Sequence, residues 1–345
     1  MRRILPTIII ILMFAIPVSA SEFEAPTVPY SAQQYFPEDA ETFSEGLLYI
    51  LGAVLKSLRP NVSNAIRSCI RLIAVTILLS IPESIKGGKW YTELLGVLLV
   101  SILLLGSSED LLKQTISSIT ELFEYGKLLL PVMTGALAAQ GAVSSATALC
   151  TGSMVFISIL SVLLHTLMFP AVYAYLALSI GTRALGNDML GQLQGIAKWV
   201  ITWILKIVLY IFTGYLSITG VVSGSVDAQT MKAAKIAISG IVPVIGNILS
   251  DASEAVLISA GLMKNAAGLY GLLAIIAVGI GPFVQVGIQC ICLKISSGVC
   301  SIFSSGSYVK LIKDFSVCMG FLLAMTATVT ILLLICTVCF MKGGT

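Results

Sequence analysis

The chain has 345 residues, 57% of them hydrophobic and 11% charged, with a net charge of +3 and a mean hydropathy of +1.00. A soluble domain carries about 25% charged residues and cannot hydrate its surface with so few. An all-α polytopic membrane protein is the class that fits, while soluble enzymes, disulfide scaffolds and nucleic-acid binders are excluded.

The first twenty residues read as a signal peptide, with Arg2 and Arg3 ahead of an apolar run and Val18-Ser19-Ala20 as the small-residue cleavage site. An uncleaved first anchor is the other reading, and both deliver the next stretch of chain outside the cytoplasm. Residues 21–65 form an extracytoplasmic leader and a short helix. The leader carries six acids from Glu22 to Glu45 without Lys or Arg, so it crosses easily and is expected to be extended and mobile. Gly46 to Leu58 is too short to span and is expected to lie in the interface.

Residues 66–127 are expected to hold two short passes, Ile66–Ile81 and Leu94–Gly106, and then a charged amphipathic helix at 108–127. Its apolar residues recur at helical spacing, which places it on the membrane surface or on a partner. Six further apolar segments bring the total to about seven or eight transmembrane helices. With the leader outside, the loops at 83–93, 223–235 and 294–314 are expected on the cytoplasmic side, although Arg67 and Arg71 argue the other way.

The last six segments superpose on a shift of 112 residues. Residues 128–222 form a first unit and 236–341 a second, with Pro131 falling on Pro243 and Pro170 on Pro282. Three passes per unit make an inverted repeat, an arrangement found in transporters. Chance alignment of similar helices is the alternative. Pro131 with Gly135, and Pro243 with Gly246 and Asn247, read as breaks in the first helix of each unit. Freed backbone at that depth requires protein or water around it.

A few ionisable and aromatic residues stand out in these apolar surroundings. Asp251 and Glu254 have the spacing of a capping box and equally could hold a cation or relay protons. Lys206 lies roughly 12 Å into its helix and requires a carboxylate, a carbonyl or water. Trp199, Trp203, Lys206 and Tyr210 share one helical face, which suits a helix or subunit contact, or an aromatic belt with a snorkelling lysine. His165, the lone histidine, could be a proton site or a hydrogen bond to a neighbouring helix.

The chemistry motifs are missing. There is no nucleotide-binding loop, HExxH, GxSxG or GxGxxG. The eight cysteines lie in or beside apolar runs, and Cys336-Thr-Val-Cys339 has no thioredoxin-like context. No enzyme, cofactor or metal is expected.

The block Pro243-Val-Ile-Gly-Asn247, Ile248 to Val256, Gly261 to Leu272 and Gly281-Pro282 resembles the stage III sporulation protein AE family of endospore-forming bacteria. The resemblance extends from about residue 45 and carries no catalytic residues. It implies a membrane subunit of the channel between mother cell and forespore, seated in the mother-cell membrane and acting as an oligomer within a secretion-like complex. The other membrane proteins of that complex and a separate ATPase subunit would be its partners. A secondary transporter built on the repeat is the alternative that the residues themselves leave open.

Overall fold

The computed structural model describes residues 26–37, 42–83, 89–139, 143–218, 266–304 and 306–342. Every regular element among them is helical: α1 (Tyr30–Gln33), α2 (Phe43–Glu83), α3 (Lys89–Ala139), α4 (Val143–Leu163), a π-helical turn (Leu164–Met168), α5 (Phe169–Leu185), α6 (Asp188–Ile218), α7 (Ala266–Phe303) and α8 (Ser307–Lys342). Among the described residues, six helical runs are long and apolar enough to cross a membrane, α4 and α5 counting as one.

Local chemistry sets several helix ends. Thr42 Oγ1 accepts the Glu45 N–H at 3.3 Å, capping α2, and Glu45 sits in the first turn where the helix dipole favours an acid. Gly186, at φ 62°, closes α5 by donating its N–H to the Thr182 carbonyl. Asn187 Oδ1 then accepts the Met189 N–H at 2.9 Å and starts α6. The π turn lies just before Pro170. A proline ring crowds the carbonyl four residues back and offers no donor, and a wider turn accommodates both.

The α7–α8 hairpin is the centre. In their most apolar stretches α7 is 72% and α8 67% buried, against 17% for α2. Their contact uses small residues: Gly268 faces Met341, Gly279 faces Thr330 and Gly287 faces Leu323. Gly96 and Gly126 seat α3 against Tyr308 and Leu333, so α3 runs parallel to α8. Arg183 with Asp314, and Tyr175 with Phe321, set α5 antiparallel to α8. Gly191 on Thr182, and Gln194 on Ser179, set α6 antiparallel to α5.

Helices α2, α4–α5 and α7 therefore run one way and α3, α6 and α8 the other. The end of α2, the start of α3, the end of α7 and the start of α8 lie at one end. The start of α2, the end of α3, the start of α4, the end of α6, the start of α7 and the end of α8 lie at the other, the leader end.

Three sequence expectations are corrected. The interfacial stretch 46–58 and the pass 66–81 are one helix running through Pro60, held by Ile50, Val54, Ala65, Leu72 and Thr76 on one buried face. Residues 94–106, 108–127 and 128–139 are also one helix, roughly 75 Å long at 1.5 Å per residue. That far exceeds the ~30 Å of a hydrocarbon core, so α3 cannot lie wholly within it. The charged stretch lies on the protein's own body, because Leu112, Ile119, Leu122 and Phe123 are buried there while Glu109 and Lys113 pair outward at 2.6 Å.

Helix α6 finishes at the leader end, opposite the end of α2 and the start of α8, and the loop expected at 223–235 lies outside the described residues. Finally, α3 does not break at Pro131 or Gly135 but continues to Ala139, and α4 starts at Val143. The first helix of the second repeat unit lies outside the described residues. Pro170 precedes a turn at Gly186 and Pro282 one at Ser304, so the second arm is longer by more than a helical turn.

Candidate functional site

The leader does not behave as its acidic composition suggests. Residues 26–37 lie against α2, α3 and α7, with Ala32, Tyr35, Phe36 and Pro37 buried. Ser31 donates its hydroxyl hydrogen to a carboxylate oxygen of Glu121 on α3. The Tyr35 hydroxyl donates to Ser57 Oγ on α2 at 3.3 Å, and Ser57 donates to the Val54 carbonyl at 2.8 Å. The Tyr35 ring covers Gly281, where an added Cβ would meet it at 3.2 Å, and Phe36 meets Tyr270 with ring centroids 5.4 Å apart. An extended, mobile leader is thus corrected for this stretch: three apolar side chains and two hydroxyl contacts strap it to three helices.

His165 lies in the π turn and reaches α3. Its Nε2 is 2.9 Å from Thr120 Oγ1 and its Nδ1 is 2.8 Å from the Ser161 carbonyl. Phe169 meets the ring edge-on at 5.2 Å. With both ring nitrogens held, the imidazole fastens the α3–α4 hairpin.

A buried polar network joins α5, α6 and α8. Arg183 places Nε and Nη2 each 2.9 Å from one oxygen of Asp314. One turn back, Ser179 donates to the Tyr175 carbonyl and accepts from Gln194 of α6 at 2.9 Å. Across the α7–α8 contact, Ser316 Oγ donates to the Cys290 carbonyl at 3.3 Å. Sequence reasoning missed this network. Arg183 and Asp314 are 131 positions apart and sit at the ends of apolar runs, where single charges look like loop residues.

The aromatic stripe of α6 faces outward. Trp199 and Trp203 stack at 5.6 Å and, like Tyr210, are more than half exposed. Lys206 is half-buried on the same face, and the ion pairs seen among the described residues, Lys113–Glu109 and Arg183–Asp314, do not involve it. Pro131 is exposed within α3. Pro243, Gly246, Asn247, Asp251 and Glu254 lie outside the described residues. Among the described residues, the structure keeps the Trp199, Trp203 and Lys206 face of α6 together but does not join it to His165 or Pro131, which occupy separate places. Among the described residues, no three His, Cys, Asp or Glu side chains come together as a metal-binding group.

A family model described as stage III sporulation protein AE matches residues 40–344, nearly the whole bundle. The chain belongs to that family. The AE family is not known as an enzyme family. The chain is 21% identical over 243 residues to the stage III sporulation protein AE of Bacillus subtilis (strain 168), an alignment covering 70% of this chain and 61% of the relative. It therefore spans about three fifths of the curated relative's length. No solved structure matches. The AE match begins after the strap, so Ser31, Tyr35 and Phe36 are features of this chain that the family model does not cover, whereas Arg183, Asp314 and His165 fall inside it.

Proposed function

We propose that this chain is a non-enzymatic, multi-pass membrane subunit of the channel between mother cell and forespore, a secretion-like complex required for sporulation and late forespore gene expression. Family membership over residues 40–344 carries the reading. The bundle supports it in two ways: its helices are of membrane-crossing length and apolarity, and outward-facing residues such as Trp199 and Trp203 leave surface for neighbours. On this reading the protein sits in the mother-cell membrane around the forespore, as an oligomer beside other membrane proteins of the complex and a separate ATPase. An inverted repeat would place the two units about a common midplane.

The test is genetic and biochemical together. Deleting the gene in its spore-forming host should arrest development after engulfment begins, and crosslinking from sporulating cells should recover the partner membrane proteins. Normal spore yield in the deletion strain would overturn the proposal. So would purified protein that moved a small solute across liposomes without partners, because that is the behaviour of a self-sufficient transporter.

A further inference from the structure

Helix α2 carries cations on a face that the protein body leaves bare. Its buried side is fixed by Ile50, Val54, Ala65, Leu72 and Thr76, which pack inward. At 100° per residue Arg67 lies about 200° around from Ala65 and about 140° from Leu72, so it points away from the bundle. Arg71, one turn on, and Lys56, three turns back, share that outward side, and all three are exposed. The stripe runs for roughly 22 Å along the axis. The sequence between Glu45 and Glu83 has no acid, and the ion pairs among the described residues involve none of the three cations. Leu55, Ile66 and Ile70 stand beside them, 64%, 47% and 60% exposed.

A cation set in an apolar face is costly against hydrocarbon, and large apolar side chains are costly against water. One environment satisfies both: the boundary where acyl chains meet phosphate. We propose that the outward face of α2 between Lys56 and Arg71 is a binding site for anionic phospholipid. The guanidinium forks of Arg67 and Arg71 and the Lys56 ammonium hold the phosphates, while Leu55, Ile66 and Ile70 lie among the upper acyl carbons. Free phosphate would meet the cations but leave the three apolar side chains in water. Arg67 and Arg71 stand one turn apart and share a depth, and Lys56, roughly 16 Å back along the axis, meets the same phosphate layer with α2 running oblique to the membrane. Each cation near an anionic surface contributes about fivefold to the preference.

The full chain, purified in a neutral detergent and exchanged into an equimolar mixture of phosphatidylglycerol and phosphatidylcholine, would be examined for retained lipid by native mass spectrometry. The wild type should retain phosphatidylglycerol over phosphatidylcholine by at least tenfold, falling as salt is raised. The triple variant Lys56→Gln/Arg67→Gln/Arg71→Gln should bring the ratio close to one at unchanged helical content, while Lys113→Gln, on the exposed face of α3, should leave it intact. Single Arg67→Gln and Arg71→Gln variants, each lowering the ratio several-fold, keep the test open if the triple variant fails to fold. Equal retention of both lipids by the wild type would overturn the proposal, as would a ratio indifferent to the α2 substitutions. Loss of the preference in millimolar inorganic phosphate at constant ionic strength would overturn it in favour of a simple anion site. An acidic protein co-purifying on this face in place of lipid would also overturn it.

Discussion

Arg183 directs two nitrogens onto a single carboxylate oxygen of Asp314, tying the last turn of α5 to the early turns of α8. The side chains are 25% and 12% exposed, so the pair is neither a surface bridge worth a few tenths of a kcal/mol nor a fully buried one worth several. Removing one partner strands the other charge beside apolar helices. Asp314→Asn or Arg183→Gln should each lower stability by about 1–3 kcal/mol, read as a fall in melting temperature of the detergent-solubilised protein. Replacing both with apolar residues of similar size should recover most of the loss. If the double variant loses as much as the singles combined, the two side chains act independently and the pairing is not what matters.

The strap makes a separate prediction. Tyr35 buries a whole ring against Gly281 and gives its hydroxyl to Ser57, so Tyr35→Ala removes burial worth about 3 kcal/mol where the site cannot collapse. Because the strap lies near the amino-terminal end, the loss should appear as local release before global unfolding. Limited proteolysis should then cleave between residues 26 and 42 in the variant well before the helices are cut. Tyr35→Phe keeps the ring and should behave nearly as the wild type.

How much of this was legible in the sequence depended on whether the signal was local. The core hairpin was: the apolar segments 267–293 and 315–341 correspond to α7 and α8, and the sequence errs in ending the first too early at Leu293 and in starting the second at Phe315, where α8 already begins at Ser307. The helix continues because Ser296 and Cys300 are buried, which hydropathy averaging scores as a loop. In α3 the average also misleads, since Glu109, Asp110 and Lys113 share a stretch with buried Leu112 and Ile119 and only the angular distribution separates them. The strap had a faint signal in Tyr35-Phe36-Pro37, an apolar triplet inside an acidic leader. The Arg183–Asp314 pair had none, because its partners meet only after four helices have packed.

Both ring nitrogens of His165 lie within hydrogen-bond distance of a partner, Thr120 Oγ1 and the Ser161 carbonyl. Interhelical hydrogen bonds in membrane bundles average about 0.6 kcal/mol and reach about 1.7. His165→Ala should therefore cost about that much through the lost Thr120 contact, with α3 and α4 otherwise intact. Spore yield should be unchanged. A variant that folds with wild-type stability yet abolishes sporulation would instead assign His165 a chemical role.

Among the described glycines, Gly279 leaves least room for a side chain: an added Cβ would fall against Thr330 Oγ1 and 3.0 Å from its Cγ2. Thr330 is β-branched, so its χ1 cannot swing freely out of the way, and α7 and α8 would have to separate. Gly279→Ala should cost about 1–3 kcal/mol by overpacking, although alanine is the better helix former. Thr330→Ala removes the obstacle as well as a buried hydroxyl without a hydrogen-bond partner, so alone it should be close to neutral. The pair Gly279→Ala/Thr330→Ala should regain most of the loss, a coupling measurable in a double-mutant cycle on thermal melting. Equal destabilisation by Gly279→Ala with and without Thr330 would place the cost in the helix backbone and not at the α7–α8 contact.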